Sequence, residues 1–181
     1  MASWPAMARR IRVPSGFVLA VLYLWLAKPD ARSLTLGVVF VIAGLVVRGS
    51  ASGHLNKNEQ LAISGPYAYT RNPLYLGSVI MALGFAIAAR SFWIALVLAA
   101  VFVGIYLPVI WSEETYLAER FREFTDYAQR VPRFIPKLNN MSSPRASFSW
   151  ALYRKHREYN ATLGSAAILA ALIAKLLWAG R

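Results

Sequence analysis

Few side chains in this sequence can do chemistry. Cysteine is absent, which excludes thiol nucleophiles, disulfides and Cys-zinc sites. The two histidines, His54 in GHLNKNEQL and His156 in YRKHREY, do not combine with carboxylates at metal-ligand spacing, and a metal enzyme is not expected. What remains is a dense polar block, SGPYAYTRNPLYLGS, carrying Tyr67, Tyr69, Arg71, Asn72 and Tyr75, and the adjacent acids Glu113 and Glu114. Gathered together, two carboxylates, an arginine, an amide and phenols can contact a polar ligand while neighbouring helices contact a lipid.

The surrounding chain is suited to hold such a group in a membrane. It is 57% hydrophobic, with a formal charge of +12. Apolar stretches run from Val13 to Ala27, Leu34 to Val47, Pro73 to Ala89, Phe92 to Trp111 and Ala161 to Ala179, the last interrupted by Lys175. These read as five membrane spans. Only the fourth reaches the roughly 20 residues that a span needs without help from flanking Arg, Lys, Trp and Ser. A cleaved leader is the rival reading of the first stretch, but Trp25-Leu26-Ala27-Lys28-Pro29 offers no small-residue cleavage site. Lys and Arg sit between the apolar runs rather than over one soluble surface, so nucleic acid is not an expected partner. They cluster at Arg9-Arg10-Ile11-Arg12, at Arg48, Lys57 and Arg71, and from Arg120 to Arg157, whereas the opposite connections hold Lys28, Arg32, Arg90 and Arg181. That bias places the N-terminus and the polar segments in the cytoplasm.

The chain thus reads as an all-α integral membrane protein of about five transmembrane helices plus a cytoplasmic amphipathic helix. Residues 1–47 hold the first two spans, 48–138 the functional core, and 139–181 a basic linker and the last span. A tight turn at Ala89-Arg90-Ser91 folds the third and fourth spans into an antiparallel pair, which brings Arg71, Asn72 and Tyr75 near Glu113 and Glu114. From the glutamates a helix is expected to run on with Leu117, Phe121, Phe124, Ala128 and Val131 along one interfacial face. Several of these residues also meet structural demands. Asn72-Pro73 suits a helix N-cap and first turn, Gly65-Pro66 suits a turn, Gly77 permits close helix approach, and an acid in a first helical turn suits the macrodipole. His54 also fits a solvated interfacial position, and Arg154-Lys155-His156-Arg157 fits topology or anionic headgroups.

The block GPYAYTRNPLYLGS, followed after the hairpin by EETYLAERFREFTDYAQRVPRFIP, resembles the membrane-embedded isoprenylcysteine carboxyl methyltransferase and phospholipid methyltransferase superfamily over roughly Arg48 to Pro136. Members read GPY-x-Y-x-R-H-P-x-Y-x-G, then EE-x-x-L, then V-P-R-x-I-P. Asn72 stands where the carboxyl methyltransferases carry His, and Asn-Pro-x-Tyr-x-Gly-Ser is the form of phosphatidylethanolamine methyltransferases. A residue, commonly Gly, is missing after Phe121.

The resemblance implies S-adenosylmethionine as donor and a lipidic or prenylated acceptor entering from the bilayer. It assigns catalytic roles to Arg71 and Glu114, and cofactor contacts to His54, Tyr67, Arg71, Asn72, Tyr75, Glu113 and Glu114. Substrate contacts fall to Arg130 and Arg133, which with Arg71 also suit the donor's carboxylate. Either glutamate suits its ammonium, and Glu114→Gln is expected to abolish donor binding in a folded protein. A carboxylate acceptor needs little acid or base help, whereas an amine acceptor must lose a proton first, to a carboxylate or His54. Phospholipid N-methylation, a sterol-reductase-like site and a non-catalytic membrane scaffold are the alternatives.

Overall fold

The computed structural model describes residues 18–56, 59–137 and 147–179, and every regular element among them is helical. Helix α1 covers 18–26, α2 Ala31–Ser52, α3 Pro73–Ala89 and α4 Phe92–Arg120. They are followed by α5 at Phe124–Arg130, α6 at Trp150–Lys155 and α7 at Tyr159–Ala179, while a single 3-10 turn covers Gly65–Ala68. Arg9, Arg10, Arg12, Lys57, Arg145 and Arg181, on which the charge bias partly rests, lie outside the described residues. So do the start of the first apolar stretch at Val13 and residues 139–146 of the linker.

Of the five expected spans, α2, α4 and α7 are long and apolar enough to cross a membrane. The apolar α3 has 17 residues, about 26 Å at the α-helical rise, a little under the hydrocarbon thickness.

Asp30 starts α2. Its carboxylate accepts the Ser33 N–H at 2.7 Å, and Ser33 Oγ accepts the Asp30 N–H at 3.1 Å, a reciprocal cap. Helices α2 and α3 then pack through glycines spaced seven apart on each. A Cβ on Gly44 would lie 2.5 Å from the Gly77 carbonyl oxygen, and one on Gly37 would lie 2.5 Å from that of Gly84. Only hydrogen fits at those two crossings, so the backbones touch. The α3–α4 turn forms as expected, with Arg90 in the left-handed region at φ 49° and ion-paired to Asp30. Around this end a core of Tyr23, Ala27, Leu34, Ala88, Ala89, Ile94 and Leu172 joins α1, α2, α3, α4 and α7. Lys175 of α7 donates to the carbonyls of Leu24 and Trp25, at 2.7 and 3.1 Å, and so satisfies the end of α1.

Helix α4 is continuous through Glu113 and Glu114, so no first-turn dipole argument applies to them. Residues Phe102–Tyr106 form a π turn in which the Leu107 N–H reaches the Phe102 carbonyl. Pro108 is its cause, since proline cannot donate to the carbonyl four residues earlier. The expected long amphipathic helix is divided. Phe121 is extended at φ −119°, ψ 114°, and the chain resumes as the seven-residue α5. Its apolar face does not lie against lipid: Phe124, Tyr127 and Val131 fold back onto Leu61, Leu117 and Phe121. The break allows that return, which a straight helix would prevent.

Candidate active site

At the end of the hairpin away from Arg90 lies a cavity of about 690 Å³, within the range of small-molecule sites. Its wall includes Arg48, Tyr67, Arg71, Asn72, Tyr75, Tyr106, Glu113, Glu114, His156 and Glu158.

Glu114 is the hub. It is buried, and its Oε1 accepts the Asn72 amide at 2.8 Å. Its Oε2 accepts Nε and a terminal nitrogen of Arg133, both at 3.0 Å, and pairs with Arg71 at 3.4 Å. Arg71 and Asn72 are held in turn by the segment after α5: the Arg71 N–H donates to the Pro132 carbonyl at 2.9 Å, and the Asn72 amide also donates to that of Arg133 at 3.2 Å. The Asn72 side chain does not cap α3; it is spent on Glu114 instead. Two cations and an amide therefore satisfy Glu114 inside the protein. Glu113, one residue earlier around the helix, faces the cavity and forms no ion pair among the described residues. Arg71 Nε is buried without a hydrogen-bond partner among them.

The phenols supply the aromatic wall. Tyr75 packs edge-on to Tyr106 with centroids 6.0 Å apart. Tyr127 donates to the Tyr67 carbonyl at 2.8 Å. Burial pushes both the Tyr67 and Tyr127 hydroxyls well above the ordinary phenol range, so both stay protonated and neither is a base.

Three expected site residues stand apart from the cavity wall. His54 lies beneath the Gly65 turn, its Nδ1 2.8 Å from the Ser50 carbonyl and its ring edge-on to Phe148. The turn needs glycine there, at φ 57°, because a Cβ would sit 2.6 Å from the imidazole. Arg130 is exposed and bonds back to the Asp126 carbonyl. Arg133 reaches the site through its side chain on Glu114 and its carbonyl on Asn72.

Residues that the sequence motifs did not mark take part instead. His156 lines the cavity, its Nε2 donating to the Leu55 carbonyl at 2.9 Å. Arg48 and Glu158 form a second ion pair in the wall, Nε to Oε1 at 2.6 Å. A signal for Glu158 was available: it is the only acid after Asp126, at the end of the basic cluster before the last apolar run. Among the described residues no group of three His, Asp or Glu side chains gathers as for a metal ion.

Residues 33–123 match the family described as phospholipid methyltransferase. The chain is 35% identical over 149 residues to the cobalt-zinc-cadmium resistance protein CzcN of Cupriavidus metallidurans, covering 78% of this chain and 68% of the relative. It is 35% identical to the nickel-cobalt-cadmium resistance protein NccN of Alcaligenes xylosoxydans, over 61% of this chain and 53% of that one. With the protein-S-isoprenylcysteine O-methyltransferase of Schizosaccharomyces pombe it shares 32% identity, over 58% of this chain and 47% of the relative. It thus spans between about half and two thirds of these relatives. No solved structure matches.

Proposed function

The chain belongs to the phospholipid methyltransferase family, and on that premise we propose that its cavity binds S-adenosylmethionine for methylation of a lipidic or prenylated acceptor at the cytoplasmic face of the membrane. The observation that carries this reading is the pair of uncommitted polar groups in the wall. Arg71 Nε, buried without a partner, suits the carboxylate of an amino-acid moiety, and the unpaired Glu113 suits its ammonium. The faces of Tyr67, Tyr75 and Tyr106 suit adenine and a sulfonium. When bound, the donor supplies an electrophilic methyl group on its sulfonium.

The chain's own part is to bind, orient and exclude water. Glu114 keeps Arg71 and Asn72 aimed, while the protonated Tyr127 fixes the backbone at Tyr67. With Glu113 on the ammonium, no unpaired carboxylate remains in the described wall, and a carboxylate acceptor, which asks for no base, fits best. Phospholipid amine methylation is the second reading. It is favoured by His156, an imidazole in the cavity wall held by the Leu55 carbonyl.

The test is calorimetric titration of the detergent-purified chain with S-adenosylmethionine and S-adenosylhomocysteine, beside Glu113→Gln. Micromolar binding by wild type, weakened in the variant, supports the reading; a folded wild type that binds neither refutes it. Methylated ethanolamine lipids in extracts of expressing cells would favour the amine acceptor over the carboxylate.

A further inference from the structure

A second space of about 270 Å³, with a mainly apolar wall, lies between α3 and α4. Ser78 and Tyr106 line both this groove and the polar cavity, so the two spaces adjoin there. An amphiphile reaching the cavity from the groove must place its polar head at that common wall. The charged group anchored to it is Arg48, whose terminal nitrogen contacts Ser78 Oγ at 2.5 Å and the Leu74 carbonyl at 3.3 Å.

Arg48 comes from α2 and passes over Gly77, where a Cβ would meet its Cγ at 2.6 Å. The Gly77-Ser78 pair is thereby explained: glycine clears the stem and serine receives the head. Glu158, at the foot of α7 and beyond the family-matched residues, closes a fork on the guanidinium through Nε at 2.6 Å and the other terminal nitrogen at 3.1 Å. A guanidinium has five N–H groups. Four contacts engage it here, and the side chain keeps 24% of its surface exposed. A donor is left for a ligand, in a field that Glu158 partly cancels.

We propose that Arg48, oriented and tempered by Glu158, is a specificity site that reads an anionic oxygen on the acceptor head at the wall between the polar cavity and the apolar groove. The proposal deepens the methyltransferase reading and rests on it. The anionic oxygen belongs to a carboxylate on a prenylated amino acid or to the phosphate of a phospholipid. Arg48 serves either; Glu158 sets how strongly.

The test is equilibrium binding to the full chain in detergent, which needs no turnover. The probes are S-farnesylated N-acetylcysteine, its neutral methyl ester, and phosphatidylethanolamine as competitor, with S-adenosylhomocysteine measured in parallel. Wild type should prefer the acid to the ester, or bind the phospholipid, and Arg48→Gln should remove that preference by about tenfold, the worth of one charge-assisted hydrogen bond. Donor-product binding should stay within about twofold. Glu158→Gln, which removes the opposing charge and keeps the shape, should widen the preference for the anion. A structural clamp predicts the reverse: both variants would weaken every ligand together, and the swapped pair Arg48→Glu with Glu158→Arg would restore them. Either of those results, or an Arg48→Gln protein with unchanged discrimination, overturns the proposal. Loss of S-adenosylhomocysteine binding in wild type alone would instead strike at the methyltransferase reading. Competition by the phospholipid without acid preference would assign the oxygen to phosphate, and the converse to carboxylate.

Discussion

Replacing Glu114 with Gln should damage the fold more than the donor site. The carboxylate is shared by Arg71 and Arg133 and receives Asn72. Removing one partner of a fully buried pair costs about 3–5 kcal/mol, since the other charge is left in low dielectric. Here the penalty divides. Arg133 is 48% exposed along its side chain and can rehydrate, whereas Arg71 is 14% exposed and cannot. Discounting the exposed half leaves about 2–3 kcal/mol. At roughly 2–4 °C per kcal/mol for a chain of this size, the melting temperature should fall by roughly 4–12 °C. Thermal unfolding of the detergent-purified protein measures this. Arg71→Met alone and combined with Glu114→Gln completes a cycle whose coupling should be about 1–3 kcal/mol. Well below the melting temperature, Glu114→Gln, whose amide oxygen can still accept from Asn72 or Arg71 and so keep them aimed, should hold S-adenosylhomocysteine affinity within about threefold of wild type. An unshifted melting temperature together with abolished donor binding would refute this and return the donor role to Glu114.

Glu113→Gln should show the opposite pattern, with melting unchanged and donor-product affinity reduced about tenfold, the worth of one charge-assisted contact; calorimetry and melting on one preparation decide it. Gly44→Val should lower stability by about 1–3 kcal/mol through overpacking, because its Cβ would meet the Gly77 carbonyl at 2.5 Å; melting curves that overlay wild type would contradict the packing. Lys175→Met should cost about 1 kcal/mol by leaving the Leu24 and Trp25 carbonyls without their donor, read as faster proteolysis near residues 24–28. Tyr67 and Tyr127 have folded-state pKa values raised by burial above the ordinary 10.0. Their contribution to stability should be complete below about pH 10 and decline as pH rises towards the folded-state values. Absorbance titration should find these phenols un-ionised until the chain unfolds.

The elements that place the site were legible because their signals are local. Pro73 after Asn72 opens a helix, Arg90-Ser91 closes it, and an antiparallel return must bring Asn72 close to Glu114, which the 2.8 Å hydrogen bond satisfies. What depends on distant partners was not. Arg48 reads as a topological charge at the end of an apolar run until Glu158, 110 residues later, is folded onto it. His54 sits near the motif in sequence, yet the Gly65 turn holds its ring against Phe148 and away from the cavity, while His156 arrives from the linker. The break at Phe121 escaped a periodicity reading because apolar spacing continues across it: Leu117, Phe121, Phe124 and Val131 form one cluster whether the helix is straight or folded back.

The π turn at Phe102–Tyr106 acts as a phase shifter. It adds in effect one residue to a helix that otherwise advances about 100° per residue, so everything after it is rotated by that amount relative to an uninterrupted rod. The angular offset is what sends Glu114 towards Arg71 and leaves Glu113 beside it at the cavity. Deleting a single residue there would close the wide turn and swing both carboxylates by about 100° from their stations, with Pro108 still leaving one carbonyl of the ladder without an N–H. The aim of the charged pair is thus written upstream of it, in a stretch of helix that itself carries no charge.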